Sequence, residues 1–150
     1  MIDDSVEDSQ ASPGEPSNKS VAALGRRIIR ALAGFSEIEQ IVLFGSLSRG
    51  AGRPDSDIDV AVEADKPLTS ELRIAMIEAL AMEFGRPVDL VDLKAAGQPL
   101  LTQIVTTGKR LLGSDTRWAN VIYRNIIENE DCVPLQRRIL IARQNAWINR

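Results

Sequence analysis

The chain has 150 residues, 44% of them hydrophobic, a formal charge of −3 and no histidine. That size supports one domain with a real core, and the missing histidine excludes a Ser-His-Asp triad, a Cys-His pair, histidine acid–base chemistry and His-ligated zinc. The single cysteine, Cys132, excludes an intrachain disulfide and reads as structural. No apolar run is long enough to span a membrane or form a signal-peptide core, so a cytoplasmic protein is expected.

The charge is unevenly divided. Residues 1–20 hold Asp3, Asp4, Glu7, Asp8 and Glu15 against Lys19 alone, among Ser, Pro, Gly, Gln and Asn. That composition predicts a disordered acidic tail over residues 1–19. Without its net −4 the remainder carries about +1 and no basic stripe with interleaved aromatics, which argues against nucleic acid as substrate.

From residue 20 the pattern alternates helix and strand. A first helix is expected over about 20–34, with Ser20 as N-cap and Gly34 as stop. The apolar run Ile41–Phe44 reads as a buried strand that ends at Gly45-Ser46, followed by a short helix. A second strand is expected over about 57–63 and a helix over about 69–84, capped by Thr69 or Ser70 and ended by Gly85. Leu72, Met76, Ala79, Leu80 and Glu83 trace that helix's period, and Met76 and Met82 read as core filler.

Val88–Leu93 reads as a third strand. A helix from Gln98-Pro99 to Gly108 and a short strand near 109–112 follow. Asp115 or Thr116 then caps a helix through about 129 with Ala119, Ile122, Tyr123 and Ile126 on one face. A last helix begins at Pro134, with Leu135, Ile139, Ala142 and Ala146 in line. Its Arg137, Arg138, Arg143 and Arg150 read as a solvated face, and Trp118, Tyr123 and Trp147 as structural aromatics.

The stretch IVLFGSLSRGAGRPDSDIDVAV carries the chemistry. Gly45 lets backbone approach a ligand closely, and Ser46 sets a hydroxyl beside the amides of the turn, which suits phosphate oxygens. Beyond a Gly-, Pro- and Asp-rich loop, Asp57 and Asp59 alternate with Ile58, Val60 and Val62, so the two carboxylates share one strand face. Two such charges require a cation between them. Hard oxygen ligands suit Mg²⁺, which commonly completes its shell with substrate phosphates, so a nucleoside triphosphate fits. Arg49 is a candidate to assist a phosphate, with a plain surface role as the alternative, and Arg53 carries less weight.

The Gly-Ser, ten-residue spacer and Asp-x-Asp resemble the signature of polymerase-β-like nucleotidyltransferases. From about Ile38 to Gly113 the chain is similar to the minimal nucleotidyltransferase antitoxins that pair with HEPN-domain toxins. The resemblance implies an α/β (α+β) core at 20–113 with a small mixed sheet flanked by helices, to which residues 114–150 add two helices. It also implies a third metal-binding carboxylate on a later strand. Asp89 matches it, and Asp92 is the alternative, on the opposite strand face and nearer the strand's end, where turn or cap roles are common.

The implied chemistry uses ATP as co-substrate and Mg²⁺, as two ions held by Asp57, Asp59 and Asp89. Gly45, Ser46 and Arg49 bind phosphate. The implied activity is that of an antitoxin moving AMP to a tyrosine or other hydroxyl of a HEPN ribonuclease toxin encoded nearby, with release of pyrophosphate. Two alternatives stand beside it. One is a binding-only antitoxin that occludes the toxin; the other is a transferase acting on a small molecule such as an aminoglycoside.

Overall fold

The apolar run around Val42 forms one of the two inner strands of a four-stranded mixed sheet. Strand β1 (Ile38–Phe44) pairs antiparallel with β2 (Ile58–Ala64) on one side and with β4 (Lys109–Leu112) on the other. Strand β3 (Val88–Asp92) lies parallel to β2, giving the order β3-β2-β1-β4. The computed structural model describes residues 18–50 and 56–132. The expected acidic tail up to residue 17, Arg53, and the helix from Pro134 with its arginines and Trp147 lie outside them.

Both faces of the sheet are covered, which is why Gln40 to Phe44 are buried without a break. Helices α1 (Asn18–Leu32) and α2 (Ser70–Phe84) cover one face, where Ile28, Leu32, Met76 and Leu80 pack on Ile41, Leu43, Val60 and Val62. Helices α3 (Leu100–Thr107) and α4 (Asp115–Cys132) cover part of the other, where Leu101, Ile104 and Val121 meet Val42, Phe44, Ala61 and Val91. Side chains alternate along a strand, so Asp59 shares the α3–α4 side with Ala61. Parallel pairing of β2 and β3 requires a crossover, and α2 supplies it. Its ends follow local chemistry: Thr69 Oγ1 accepts from the Leu72 amide at 3.1 Å, and Gly85, at φ 62°, donates its amide to Ala81 O at 2.7 Å.

Several expectations are corrected. Helix α1 starts at Asn18, so Ser20 lies within its first turn and does not cap it. Among the described residues, which run to Gly50 here, no helix follows Gly45-Ser46. Gly45 and Gly50 both take left-handed φ values, 77° and 74°, and leave room only for successive turns closed by Arg49 N–Ser46 O and Gly50 N–Leu47 O bonds of 3.2 Å. Met82 is 88% exposed, because six residues of helix turn it away from buried Met76. Pro99 stands at the N-cap position of α3, one residue outside the helix.

Helix α4 departs furthest from its hydrophobic pattern. Ser114 provides the side-chain cap, its Oγ accepting from the Arg117 amide at 3.2 Å, while Asp115 pairs with Arg110 at 2.6 Å. Val121 and Asn125 face the domain, and Tyr123 and Ile126 are 66% and 50% exposed. Polar contacts set this orientation. Arg117 pairs with Glu39 and Glu63, and Asn125 Oδ1 accepts from Gln98 Nε2 at 2.7 Å and Thr102 Oγ1 at 2.9 Å.

Candidate active site

The site forms where β1 ends and β2 begins. Phe44 stands opposite Asp59 in the antiparallel register, so the chain leaving β1 at Gly45 turns directly over the Asp59 carboxylate. A Cβ at Gly45 would lie 2.3 Å from Asp59 Oδ2. Only glycine gives this approach, both for space and for φ of 77°. On its other side Asp59 is in register with Asp89 across the parallel β2–β3 pair. Asp57 immediately precedes β2.

Asp57 and Asp89 are exposed and Asp59 is half-buried. Burial, then the charges of Asp89 and Asp57, hold the Asp59 carboxyl above the usual range. The strand face therefore concentrates negative charge at Asp59. Among the described residues no group of three Asp, Glu, Cys or His side chains is arranged to hold a metal ion by itself. An open set of oxygen donors fits a hard divalent cation that keeps waters and takes phosphate oxygens. Asp57, Asp59 and Asp89 are the residues that could hold it. Asp92 is placed otherwise: it is 8% exposed, and its carboxylate accepts from the Leu68 amide at 2.9 Å and the Lys94 amide at 3.0 Å.

Two residues of the site are absent from the sequence-based assignment. Ser48, 1% exposed, is placed by its hydroxyl against Gly45 O at 2.6 Å and Thr107 O at 2.7 Å. Thr107 Oγ1 accepts from the Gly45 amide at 3.3 Å and donates to Gln103 O at 2.7 Å. These bonds clasp the glycine turn to the C-terminus of α3. They also occupy the Gly45 amide, so Gly45 contributes shape and Ser46 and the exposed Arg49 are left to meet a ligand. Ser46-x-Ser48 and Thr107-Gly108 were the available signals, but the clasp spans about sixty residues and no local pattern joins its halves. Ser48→Ala is expected to destabilise the domain by about 1–3 kcal/mol, because buried carbonyls lose a donor, as read by urea unfolding. An unchanged midpoint would show the clasp to be dispensable.

This geometry, a glycine turn laid on one of two carboxylates with a third across a parallel strand, is that of a nucleotidyl-transfer centre. The sequence profile of the family described as Polymerase beta, Nucleotidyltransferase matches residues 26–117, and the chain belongs to that family. The protein adenylyltransferase MntA of Shewanella oneidensis is 42% identical over 78 residues, which are 52% of this chain and 56% of that protein; the match thus spans little more than half of the relative. A chain of a toxin–antitoxin crystal structure with AMP-PNP is 33% identical, with a TM-score of 0.68 over 79% of this chain and 95% of that one. A chain of a complex between a tri-AMPylated Shewanella oneidensis HEPN toxin and an MNT antitoxin is 31% identical, with a TM-score of 0.64 over 81% and 96%. Among the described residues no helix is long and apolar enough to cross a membrane.

Proposed function

We propose that this protein is an antitoxin that transfers AMP from ATP to a tyrosine or other hydroxyl of a HEPN ribonuclease toxin encoded nearby. The carrying observation is Asp59, flanked by Asp57, in register with Asp89 and pressed against Gly45. Support comes from the likeness to chains of toxin–antitoxin complexes, one solved with AMP-PNP and one with an AMPylated HEPN toxin. ATP as co-substrate supports a cytoplasmic location.

Asp57, Asp59 and Asp89 would hold the divalent metal, Mg²⁺ as two ions. When bound, the metal neutralises the triphosphate and acidifies the attacking hydroxyl. Gly45 fixes the distance between the turn and Asp59. Ser46 and Arg49 bind the outer phosphates and orient the α-phosphorus for in-line attack, so positioning and charge supply the catalysis. The acceptor hydroxyl gives its proton to water, its oxygen forms a bond to the α-phosphorus, the bond from that phosphorus to the bridging oxygen breaks, and pyrophosphate leaves with the electron pair.

Incubation with toxin, ATP and Mg²⁺ is expected to raise the toxin's intact mass by whole adenylyl increments, and an Asp57→Asn/Asp59→Asn double variant to give none. Neutralisation by the double variant without any mass change would replace this reading with occlusion. Failure to bind or modify the toxin would redirect it to small-molecule acceptors.

A further inference from the structure

The turn that leaves β1 is held from two sides. On the β2 side Gly45 lies against Asp59, where a Cβ would collide with the carboxylate. On the β4 side it meets Thr107, the last residue of α3, and this one residue takes both ends of the turn. Thr107 Oγ1 accepts from the Gly45 amide at 3.3 Å, and Thr107 O accepts from the Ser48 hydroxyl at 2.7 Å. Ser46 lies between these two anchors. Arg49 follows the second, its amide closing on Ser46 O at 3.2 Å. The residues left to meet phosphate therefore take their position from Thr107.

Thr107 is itself fixed. Its hydroxyl donates to Gln103 O at 2.7 Å, so the proton is committed to the helix and a lone pair is presented to Gly45. The next residue, Gly108, donates its amide to Ile104 O at 2.8 Å, and a Cβ there would lie 2.7 Å from Val42 Cγ1. Lys109 is already paired with Leu43 of β1. The end of α3 is thus pressed onto β1, with little room to move.

We infer that Thr107 is a positioning residue for adenylyl transfer: through the Gly45 amide it sets how closely the phosphate-binding turn lies on the Asp59 carboxylate. The kinetic consequence rests on the proposed transfer, whereas the bond is testable without it. A turn loosened on the β4 side keeps Ser46 and Arg49 but lets them shift relative to Asp59. Alignment of the α-phosphorus then suffers more than ATP binding does.

Thr107→Val keeps the shape of the side chain and the carbonyl used by Ser48, and removes the hydroxyl alone. Thr106→Val is the matched control. Thr106 Oγ1 makes the same kind of bond, to Thr102 O at 2.8 Å, but is exposed and bonds only within α3. In the full-length protein, Thr107→Val is expected to speed hydrogen exchange of the Gly45 amide, read by NMR, at least about tenfold. It should lower kcat for toxin adenylylation about tenfold and change KM for ATP by less than about threefold. Thr106→Val, with a comparable thermal midpoint, keeps wild-type exchange and kcat. Thr107→Ser, which restores the hydroxyl, brings kcat back to within about twofold of wild type. Exchange and kcat in Thr107→Val equal to those in Thr106→Val overturn the inference, as does Thr107→Ser as slow as Thr107→Val. Absence of transfer by the wild-type protein overturns the proposed function, and the Gly45 exchange still decides whether Thr107 holds the turn.

Discussion

Asp59→Asn is expected to abolish adenylyl transfer and to make the metal-free protein more stable at neutral pH. The two effects share a cause. The Asp59 carboxyl titrates above its ordinary value of 3.8 because it is partly desolvated and lies between the charges of Asp89 and Asp57. Folded protein holds the Asp59 proton more tightly than unfolded chain does. The contribution of this group to stability is therefore fully present below the unfolded pKa and is lost as pH rises through the folded one. At neutral pH the ionised carboxylate opposes folding unless a cation balances it, and asparagine keeps the shape without the charge.

Thermal melts in chelator at pH 7 are expected to place the variant above wild type, and the gap should close as pH falls toward 3.8. Divalent metal should raise the wild-type midpoint and leave the variant nearly unmoved. Transfer should fall on the order of 10³-fold or more. A variant less stable than wild type at neutral pH would mean that the carboxylate is structurally satisfied, and transfer at the wild-type rate would remove Asp59 from the mechanism.

The fold was legible wherever short-range chemistry decides it. The run Ile41–Phe44, the caps Thr69 and Gly85, and the period through Met76 and Leu80 specify strand and helix from residues within a few positions of each other. Asp89 was reached through the family resemblance; strand parity only set it on the opposite face from Asp92, and the parallel register that brings it beside Asp59 belongs to the assembled sheet. The clasp of Ser48 and Thr107 was not accessible, since each hydroxyl alone is an ordinary polar residue and its role exists only once α3 ends above Gly45. Helix α4 misled for a different reason. Ala119, Ile122, Tyr123 and Ile126 suggest an inward stripe, yet Tyr123 and Ile126 are exposed, and the ion pairs of Arg117 and the bonds of Asn125 accompany the other face turned inward. Directed polar contacts fixed the rotation that hydrophobic period alone predicts wrongly.

Gly45→Ala is expected to impair both stability and transfer, and comparison with Gly85→Ala separates its two costs. Both glycines hold positive φ, 77° at Gly45 and 62° at Gly85, so alanine costs about 1–2 kcal/mol of backbone strain at either position. A Cβ at Gly85 meets nothing within 4 Å, whereas at Gly45 it meets Asp59 Oδ2 at 2.3 Å and Asp59 Cγ at 3.1 Å. Any loss at Gly45 beyond that at Gly85 therefore reports displacement of the Asp59 carboxylate. Such a displacement separates Asp59 from Asp89 and Asp57, and transfer should fall on the order of 10²-fold, while Gly85→Ala, on the far side of the sheet at the end of α2, keeps wild-type transfer. Combining Gly45→Ala with Asp59→Gly should recover the excess stability cost, since the clash disappears with the side chain, yet restore no activity. Equal stability losses in the two single variants, with transfer intact in both, would mean that the turn yields without moving Asp59. The close packing of backbone on carboxylate would then be incidental to the chemistry.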